Sequence, residues 1–158
     1  GLGDVYKRQV DRIASKIGQD KEILALAILL TLPGMPSIYY GDEQGFEGVR
    51  GEGFSADDAV RPPLPATPGE LSDLGAWIFR EHQALIGLRR RNPWLTGADL
   101  EVLDKTNETI SYRVFADNEQ LLIDAWLTPA PGIRIRSAAD AVDGAAGTSA
   151  ETVYEWTP

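Results

Sequence analysis

The feature that most constrains this chain is an apolar block that runs into a proline-rich break. Residues Ile23 to Leu30 are all aliphatic, which is typical of a helix buried on most sides. The sequence Pro-Gly-Met-Pro at residues 33–36 then stops it, because proline lacks an amide proton and disfavours helical geometry in the residue before it. Residues 36–40 favour a short buried strand. A helix feeding a buried strand is one step of an α/β fold.

The second half of the chain changes from helical to alternating periodicity. Residues 71–91 predict a helix, because apolar side chains recur at intervals of three and four. From Gly97 onward, apolar and polar residues alternate, which indicates successive antiparallel strands separated by turns. The strands are predicted at residues 100–103, 109–115 and 120–127, with weaker candidates at 133–135 and 153–156.

The amino-acid composition of the chain disfavours several kinds of binding partner. The chain has 158 residues and a net charge of −9, which disfavours binding to nucleic acid or to an anionic membrane surface. It has no cysteine and one histidine, so a thiolate metal site, a zinc cluster and a Ser-His-Asp arrangement are not indicated, and we expect no cofactor. No signal peptide is visible; the compartment stays open, with the cytoplasm favoured. The oligomeric state is open.

Four strings together resemble one enzyme family. The sequence LLTLPGMPSIYYGDE is similar to the seventh helix and eighth strand of the α-amylase family barrel, glycoside hydrolase family 13. The string VDRIASKIG, which comes earlier in the chain, resembles the segment after the seventh strand. The strings DDAVRPPLP and HQALIGLRRRNPWL, which come later, resemble the eighth loop and the last barrel helix. The order and spacing of the four strings make this resemblance specific.

The resemblance implies a fold of two parts. Residues 10–96 would be the C-terminal part of a (β/α)8 TIM barrel, holding its last one to two β/α units. Residues 97–158 would be a small antiparallel β-sandwich domain. The chain would then be a C-terminal fragment of an enzyme that cleaves α-glucosidic bonds with retention, in an α-glucan or a maltooligosaccharide.

The first nine residues do not fit this pattern. The family has Asn-His-Asp before the Val-x-Arg-Ile stretch, and that aspartate is catalytic, whereas this chain has Lys7-Arg8-Gln9. We interpret residues 1–9 as a non-native scar of cloning or assembly; a truly altered site is the alternative. The family's nucleophile and acid/base come from its fourth and fifth strands, so this chain alone is expected to be inactive, with the third aspartate missing at Gln9.

Two adjacent carboxylates, Asp42 and Glu43, follow the predicted strand. Retaining hydrolysis needs two carboxyl groups about 5 Å apart that face one sugar. Adjacent residues of an extended chain point to opposite faces, so these two do not form that pair. We expect them to orient the loop and nearby basic groups, with direct contact to a sugar as the alternative.

The candidate substrate-binding residues are Arg12, Asp57 and Arg61. Asp57 and Arg61 match the Asp-x-x-x-Arg of the family's eighth loop, whose arginine lines outer sugar subsites in several members. A guanidinium group binds vicinal hydroxyls or holds a carboxylate, so sugar contact and a loop-bracing ion pair both stay open. Arg12 matches an arginine just past the catalytic aspartate and is equally open.

Other polar and aromatic residues have simpler interpretations. We expect His82 to be a packed, hydrogen-bonded core residue, and Arg89 to Arg91 to be a solvated helix end. Trp94 is expected to pack near the domain boundary, while Trp126 and Trp156 are the aromatic side chains that could stack on sugar rings.

Two other classes of protein remain as alternatives. One is a non-catalytic barrel relative, of the kind that serves as the ancillary subunit of amino-acid transporters. The other is a carbohydrate-binding module, in which the sheet would be the working part and its tryptophans the platforms.

Overall fold

A computed structural model describes residues 10–53, 57–139 and 150–158. Its α-helices are α1 (Ile13–Ile17), α2 (Gln19–Thr31) and α3 (Ala76–Arg91). Its strands are β1 (Asp99–Lys105), β2 (Thr109–Ala116), β3 (Glu119–Trp126), β4 (Gly132–Ala139) and β5 (Glu151–Trp156). The stretch interpreted as a scar, residues 1–9, lies outside the described residues.

The two predicted helices are confirmed, with one change of boundary. Helix α2 contains the whole apolar block of residues 23–30, and it begins and ends within one residue of the range 20–32 expected for the helix around that block. Helix α3 begins at Ala76 rather than at residue 71, because two short 3-10 turns, Pro68–Glu70 and Asp73–Gly75, precede it. The Ser72 hydroxyl accepts a hydrogen bond from the Leu74 amide, which caps the second turn instead of starting the helix.

The short strand predicted over residues 36–40 is wrong. Those residues are irregular up to a turn at Tyr40 and Gly41. A strand exists through hydrogen bonds to a neighbouring strand, and the partner expected for this one, near residues 5–10, lies almost entirely outside the described residues. The local sequence favours extended backbone, but no ladder forms in the described part of the chain.

The chain divides into two compact units. One joins residues 1–23 to 38–82, and we call it the loop unit; the other joins residues 24–37 to 83–158, and we call it the sheet unit. Helices α2 and α3 each run from one unit into the other. The domain boundary expected between residues 96 and 97 stays a prediction.

The loop unit is held by close backbone approaches. Gly45 has φ +62°, and a Cβ added there would meet the terminal methyl group of Ile78. A Cβ on Gly48 would collide with the backbone carbonyl oxygen of Ala59. Backbone leaves no room for a side chain at Gly48, and the positive φ favours glycine at Gly45, so the turn at residues 41–48 needs both glycines.

The sheet unit contains one antiparallel sheet of five strands in the order β1-β2-β3-β4-β5. The expectation of antiparallel strands after residue 98 is confirmed. Strands β2 and β3 are joined at residues 117 and 118, where Asp117 adopts φ +50°, a conformation that aspartate and asparagine tolerate in tight hairpins. Sequential hairpins of this kind follow directly from the alternating pattern.

The two faces of the sheet differ in chemistry. One face is buried and apolar, since Val114 pairs with Leu121, and Ile123 pairs with Ile135. The opposite face carries ion pairs between neighbouring strands, joining Glu101 to Arg113, Asp124 to Arg136 and Arg134 to Glu155. The described residues thus form one sheet, consistent with one layer of a β-sandwich.

Polar side chains also tie the helical segments of the sheet unit to their surroundings. The Tyr112 hydroxyl of β2 lies 2.6 Å from the Thr31 hydroxyl at the end of α2. Arg89 of α3 donates to the carbonyl oxygens of Leu30, Leu32 and Gly34. The Leu30 carbonyl lies in the last turn of α2, where carbonyls lack helical partners, and Leu32 and Gly34 follow the helix, so Arg89 caps α2 and holds the segment after it. The prediction that Arg89 belongs to a solvated helix end is therefore wrong.

Candidate substrate-binding site

Arg12 is the central side chain of the loop unit. It lies just before α1 and is 3% exposed. Its Nε donates to the carbonyl oxygen of Val60 at 2.9 Å, and its Nη1 donates to the carbonyl oxygen of Tyr40 at 2.5 Å and to Asp42 Oδ1 at 2.9 Å. One guanidinium group therefore joins segments that lie 28 to 48 residues away along the chain.

Two aromatic rings pack against the same guanidinium group. The Arg12 Cζ atom lies 4.5 Å from the ring centroid of Tyr39 and 5.0 Å from that of Tyr40. The two rings meet edge to face with centroids 4.8 Å apart. A cation within about 6 Å of a ring face is attracted to it, so the rings and the hydrogen bonds fix one orientation of Arg12.

A cavity of about 490 Å³ opens beside this cluster. Arg12, Tyr39 and Asp42 line it, and Arg61 of the following loop lines it as well. The structure therefore brings two of the three predicted substrate-binding residues, Arg12 and Arg61, to one cavity. Cationic donors beside an aromatic ring are groups that bind sugar hydroxyls and sugar faces.

Asp57, the third predicted residue, does not line this cavity. Its Oδ1 accepts a hydrogen bond from Arg50 Nε at 3.0 Å. Arg50 is held in turn by its backbone amide, which donates to Asp11 Oδ1 at 2.9 Å. Asp57 therefore braces the loop, with Arg50 as a partner that its spacing from Arg61 did not indicate.

The two carboxylates after the predicted strand have the bracing roles expected of them. Asp42 binds Arg12, and Glu43 accepts a hydrogen bond from the amide of Gly41 at 2.8 Å. Burial raises the pKa of Asp42, while the hydrogen bond and the charge of Arg12 act to lower it. The prediction that these residues orient the turn and a basic group is confirmed.

Glu22 is a buried acid that the sequence reasoning missed. It lies in the first turn of α2 and is 3% exposed. Neither of its carboxyl oxygens has a hydrogen-bond partner. Burial and, to a lesser extent, the nearby charge of Asp42 raise the pKa of Glu22 to about 8. The one available signal was the position of Glu22 directly before the apolar block of residues 23–30.

His82 and the tryptophans have structural surroundings. His82 is buried, with Nδ1 3.0 Å from the carbonyl oxygen of Ile78, and burial lowers its pKa, which confirms the core role. Trp156 is 8% exposed, so it offers little ring surface for a sugar. Trp94 donates to Asn92 Oδ1 at 3.1 Å. Trp126 is half-buried, and its ring packs closely over Gly132.

The part of the chain that the structure describes offers neither a cluster of metal-ligating side chains nor a helix suited to crossing a membrane. There, no cluster of three or more histidine, aspartate or glutamate side chains is arranged to hold a metal ion. Among the same residues, no helix combines the length and the apolarity needed to cross a bilayer.

The sequence of the chain is similar to parts of several known enzymes. No protein-family model matches the chain. It is 27% identical over 139 residues to a 4-alpha-glucanotransferase of Thermotoga maritima, covering 72% of this chain and 32% of that protein. It is 50% identical over 48 residues to alpha-amylase 3 of Dictyoglomus thermophilum, covering 30% of this chain and 9% of that protein. The chain thus spans about a third or less of the curated relatives it matches.

A solved structure matches more of the chain. The debranching enzyme of Nostoc punctiforme, in crystals soaked with acarbose, aligns with a TM-score of 0.62 and 25% identity. The alignment covers 93% of this chain and 29% of that enzyme. The class that these comparisons define is that of enzymes named for action on α-glucans. These relatives are members of the α-amylase family, glycoside hydrolase family 13, and the chain is similar to a C-terminal part of such enzymes.

Proposed function

We propose that this chain is the C-terminal part of a glycoside hydrolase that cleaves or transfers α-glucosidic linkages with retention of configuration. Its substrate is an α-glucan or a maltooligosaccharide. The observation that carries the proposal is the cavity that Arg12, Arg61 and Tyr39 line together, in a chain whose relatives are α-amylase family enzymes. In this cavity Arg61 contacts the hydroxyl groups of the sugar, while the side chain of Arg12 forms part of the cavity wall.

The same reasoning assigns the fold of residues 10–96. We propose that they complete a (β/α)8 barrel, with α2 and α3 as its last two large helices. In such barrels the loops that come after the strands build the active site. The segment around Arg61 comes after the turn at residues 41–48, so it would be the loop that follows residues 36–40, which form no strand in the described part of the chain.

The acidic residues around the cavity support the proposal that the catalytic carboxylates come from another part of the enzyme. Retaining hydrolysis needs a nucleophile and an acid/base that are free to face the sugar. Asp42 is bound to Arg12, and Glu43 is bound to the amide of Gly41. We therefore propose that the nucleophile and the acid/base lie outside this chain, and that a third aspartate belongs at the position of Gln9.

The first test is an activity assay on the purified chain with maltoheptaose. The expected result is no release of glucose or maltose above a buffer blank, because neither catalytic carboxylate is in place. Hydrolysis that disappears in Asp42→Asn or Glu43→Gln would show that the catalytic groups had been assigned to the wrong segments.

The second test separates a sugar contact at Arg61 from a bracing role. Arg61→Ala removes one charge-assisted hydrogen bond to the sugar, so we expect maltoheptaose to bind about tenfold more weakly; the unfolding midpoint measures separately how far Arg61 stabilises the loop. Affinity is measured by NMR titration, and the midpoint by urea denaturation. The control is Arg113→Ala, which removes an arginine of the sheet unit. A lower midpoint with unchanged affinity would make Arg61 a bracing residue.

A further inference from the structure

Gly48 lies where separate segments of the loop unit meet. Its carbonyl oxygen accepts a hydrogen bond from the Arg12 amide at 2.9 Å, and its own amide donates to the Ser15 hydroxyl at 2.7 Å. The backbone carbonyl group of Ala59 occupies the space that a Cβ of Gly48 would need. Gly48 therefore contacts residues 12–15 and Ala59 at once.

Space, and not backbone conformation, requires glycine at position 48. Gly48 is not among the glycines of the described residues that have a positive φ, so no left-handed backbone demands it. The group that a side chain would meet belongs to the backbone of Ala59, and a change of rotamer cannot move it away. Any side chain at this position must therefore displace one of the two segments.

The segment that packs on Gly48 is also bonded to Arg12. The carbonyl oxygen of Val60 accepts a hydrogen bond from Arg12 Nε at 2.9 Å. Ala59 and Val60 belong to one 3-10 turn, Asp58–Val60. The contact at Gly48 and the bond to Arg12 therefore hold two neighbouring residues of the same turn.

Arg61 follows this turn directly. Its amide donates to the carbonyl oxygen of Asp58 at 3.3 Å, which closes the turn. Val60 is buried, at 4% exposed, whereas Arg61 is exposed and lines the cavity beside Tyr39. The place from which the Arg61 side chain leaves the backbone is thus determined by how the turn Asp58–Val60 packs.

We propose that Gly48 is a positioning residue for sugar binding. It lets the turn Asp58–Val60 approach Arg12, and the packed turn presents Arg61 to the cavity where it meets the hydroxyl groups of an α-glucan. Gly48 is not among the described residues that line the cavity, so it acts through Arg61. This inference rests on the proposed function, in which Arg61 contacts the sugar.

A methyl group at position 48 would move the binding group without removing it. The methyl group of Gly48→Ala must push the Ala59 carbonyl aside, and Arg61 lies two residues further along the chain. Hydrogen bonds weaken outside a narrow range of distance and angle. We therefore expect maltoheptaose to bind Gly48→Ala about fivefold more weakly, a smaller loss than the tenfold loss expected for Arg61→Ala.

The experiment is a double-mutant cycle on the full chain, with the affinity for maltoheptaose measured by NMR titration. Gly48→Ala should weaken binding when Arg61 is present and should have no effect in the Arg61→Ala background. A role in stability alone would lower the midpoint of urea denaturation and leave the affinity of the folded molecules unchanged. That result, or an equal loss of affinity in both backgrounds, would overturn the inference.

The backbone amide resonances of residues 59–61 give a second readout that needs no sugar. They should shift in Gly48→Ala, because the turn Asp58–Val60 has to move. Unchanged resonances would mean that the methyl group is accommodated elsewhere, and Gly48 would then not position Arg61.

Gly69→Ala is the matched control. Gly69 belongs to the same unit, its φ is not positive, and no atom lies within 4 Å of a Cβ added there. This variant should keep both the affinity for maltoheptaose and the resonances of residues 59–61. A fivefold loss of affinity in the control would show that binding responds to any glycine substitution in the loop unit, which would contradict a specific role of Gly48.

Ser15→Ala tests the same packing if Gly48→Ala does not fold. It removes the hydroxyl group that accepts from the Gly48 amide and introduces no new atom into the contact. We expect a loss of affinity of about twofold that disappears in the Arg61→Ala background. A loss of equal size in both backgrounds would count against the inference.

Failure of the inference is distinguishable from failure of the proposed function. If the unchanged chain does not bind maltoheptaose, the proposed function is contradicted, and the inference falls with it. If binding is weakened by Arg61→Ala but not by Gly48→Ala, only the inference is wrong.

Discussion

Charged side chains of the five-stranded sheet lie on its more exposed face, whereas the most connected charged side chain of the loop unit is buried. In the sheet, Arg134 pairs with Glu155, and both side chains are nearly half exposed, at 47% and 45%. In the loop unit, Arg12 pairs with Asp42, and its side chain is 2% exposed. Exposed ion pairs contribute little to stability, while breaking a buried one leaves an uncompensated charge.

This difference reflects how the backbone of each unit obtains its hydrogen bonds. The sheet is built from hairpins between neighbouring strands, and its apolar alternation supplies the buried face. The loop unit has little regular structure between residues 38 and 75, so backbone carbonyls there need side-chain donors. Arg12 supplies them at Val60 and Tyr40. A loop-rich region is therefore organised by a few polar residues, and a sheet is organised by many apolar ones.

The largest effect is expected from Arg12→Ala. The substitution leaves Asp42 and two backbone carbonyls without their donor, so the free energy of unfolding should fall by about 3–5 kcal/mol. Urea denaturation measures it. Arg12→Lys is the matched variant: it keeps the charge without the planar fork and should recover only part of the loss. A loss no larger than that of an exposed arginine would refute the organising role of Arg12.

A smaller effect is expected from truncation in the sheet. Ile123 is 1% exposed, and Ile123→Ala should lower the free energy of unfolding by about 3 kcal/mol through lost burial and a cavity. The control is Leu122→Ala, which lies on the opposite, half-buried face and should lose clearly less. Equal losses would indicate that a second layer covers that face, as in a complete β-sandwich.

The buried hydroxyl pair of the sheet unit should contribute less again. Tyr112→Phe removes its hydrogen bond to Thr31, whose hydroxyl still donates to the carbonyl oxygen of Ala27. We expect a loss of about 1 kcal/mol, and a double-mutant cycle with Thr31→Val should isolate the pair. A coupling of zero would mean that the two hydroxyls are solvated separately.

The same tyrosine predicts a change at high pH. Burial raises the pKa of Tyr112 from 10.0 to about 12, and the hydrogen bond to Thr31 opposes the rise. The folded state thus keeps a proton that the unfolded chain releases above pH 10, so the unfolding midpoint should fall between pH 10 and 12. Tyr112→Phe should remove this part of the slope, and an identical slope in the variant would contradict the burial of the hydroxyl.

The smallest effect is expected at the exposed ion pairs. Arg134→Ala removes the pair with Glu155, whose carboxylate simply returns to water. The unfolding midpoint should stay within experimental error of that of the unchanged chain, at low and at high salt. A loss comparable to that of Arg12→Ala would remove the contrast between the two units.

Sequence reasoning succeeded where a structural preference is local and repeated. Helix α2 and the five strands follow from patterns of apolar residues, and the hairpin at Asp117 follows from two adjacent turn-forming residues. It failed for the strand at residues 36–40, because a strand also needs a partner, which local sequence does not specify. It failed as well at the start of α3, where a capped 3-10 turn takes the place of the first helical turn.

At the candidate site, residue types were predictable and partners were not. The resemblance selected Arg12, Asp57 and Arg61, and the structure places Arg12 and Arg61 at one cavity. Nothing in the spacing of these residues indicated that Asp57 binds Arg50, or that Glu22 is buried without a partner. Long polar side chains reach several ångströms from their backbone, so their contacts depend on which segments the fold brings near.

By itself, the sequence determined the helices, the antiparallel strands and the similarity to a C-terminal part of the α-amylase family, because each is written in neighbouring residues or in ordered motifs. Only the tertiary structure decided that Arg12 joins segments up to 48 residues away, and that Arg89 caps a helix 59 residues earlier in the chain. The physical reason is that hydrogen-bond partners are set by distance in space. Folding brings these donors and carbonyls together, and burial then makes each bond necessary.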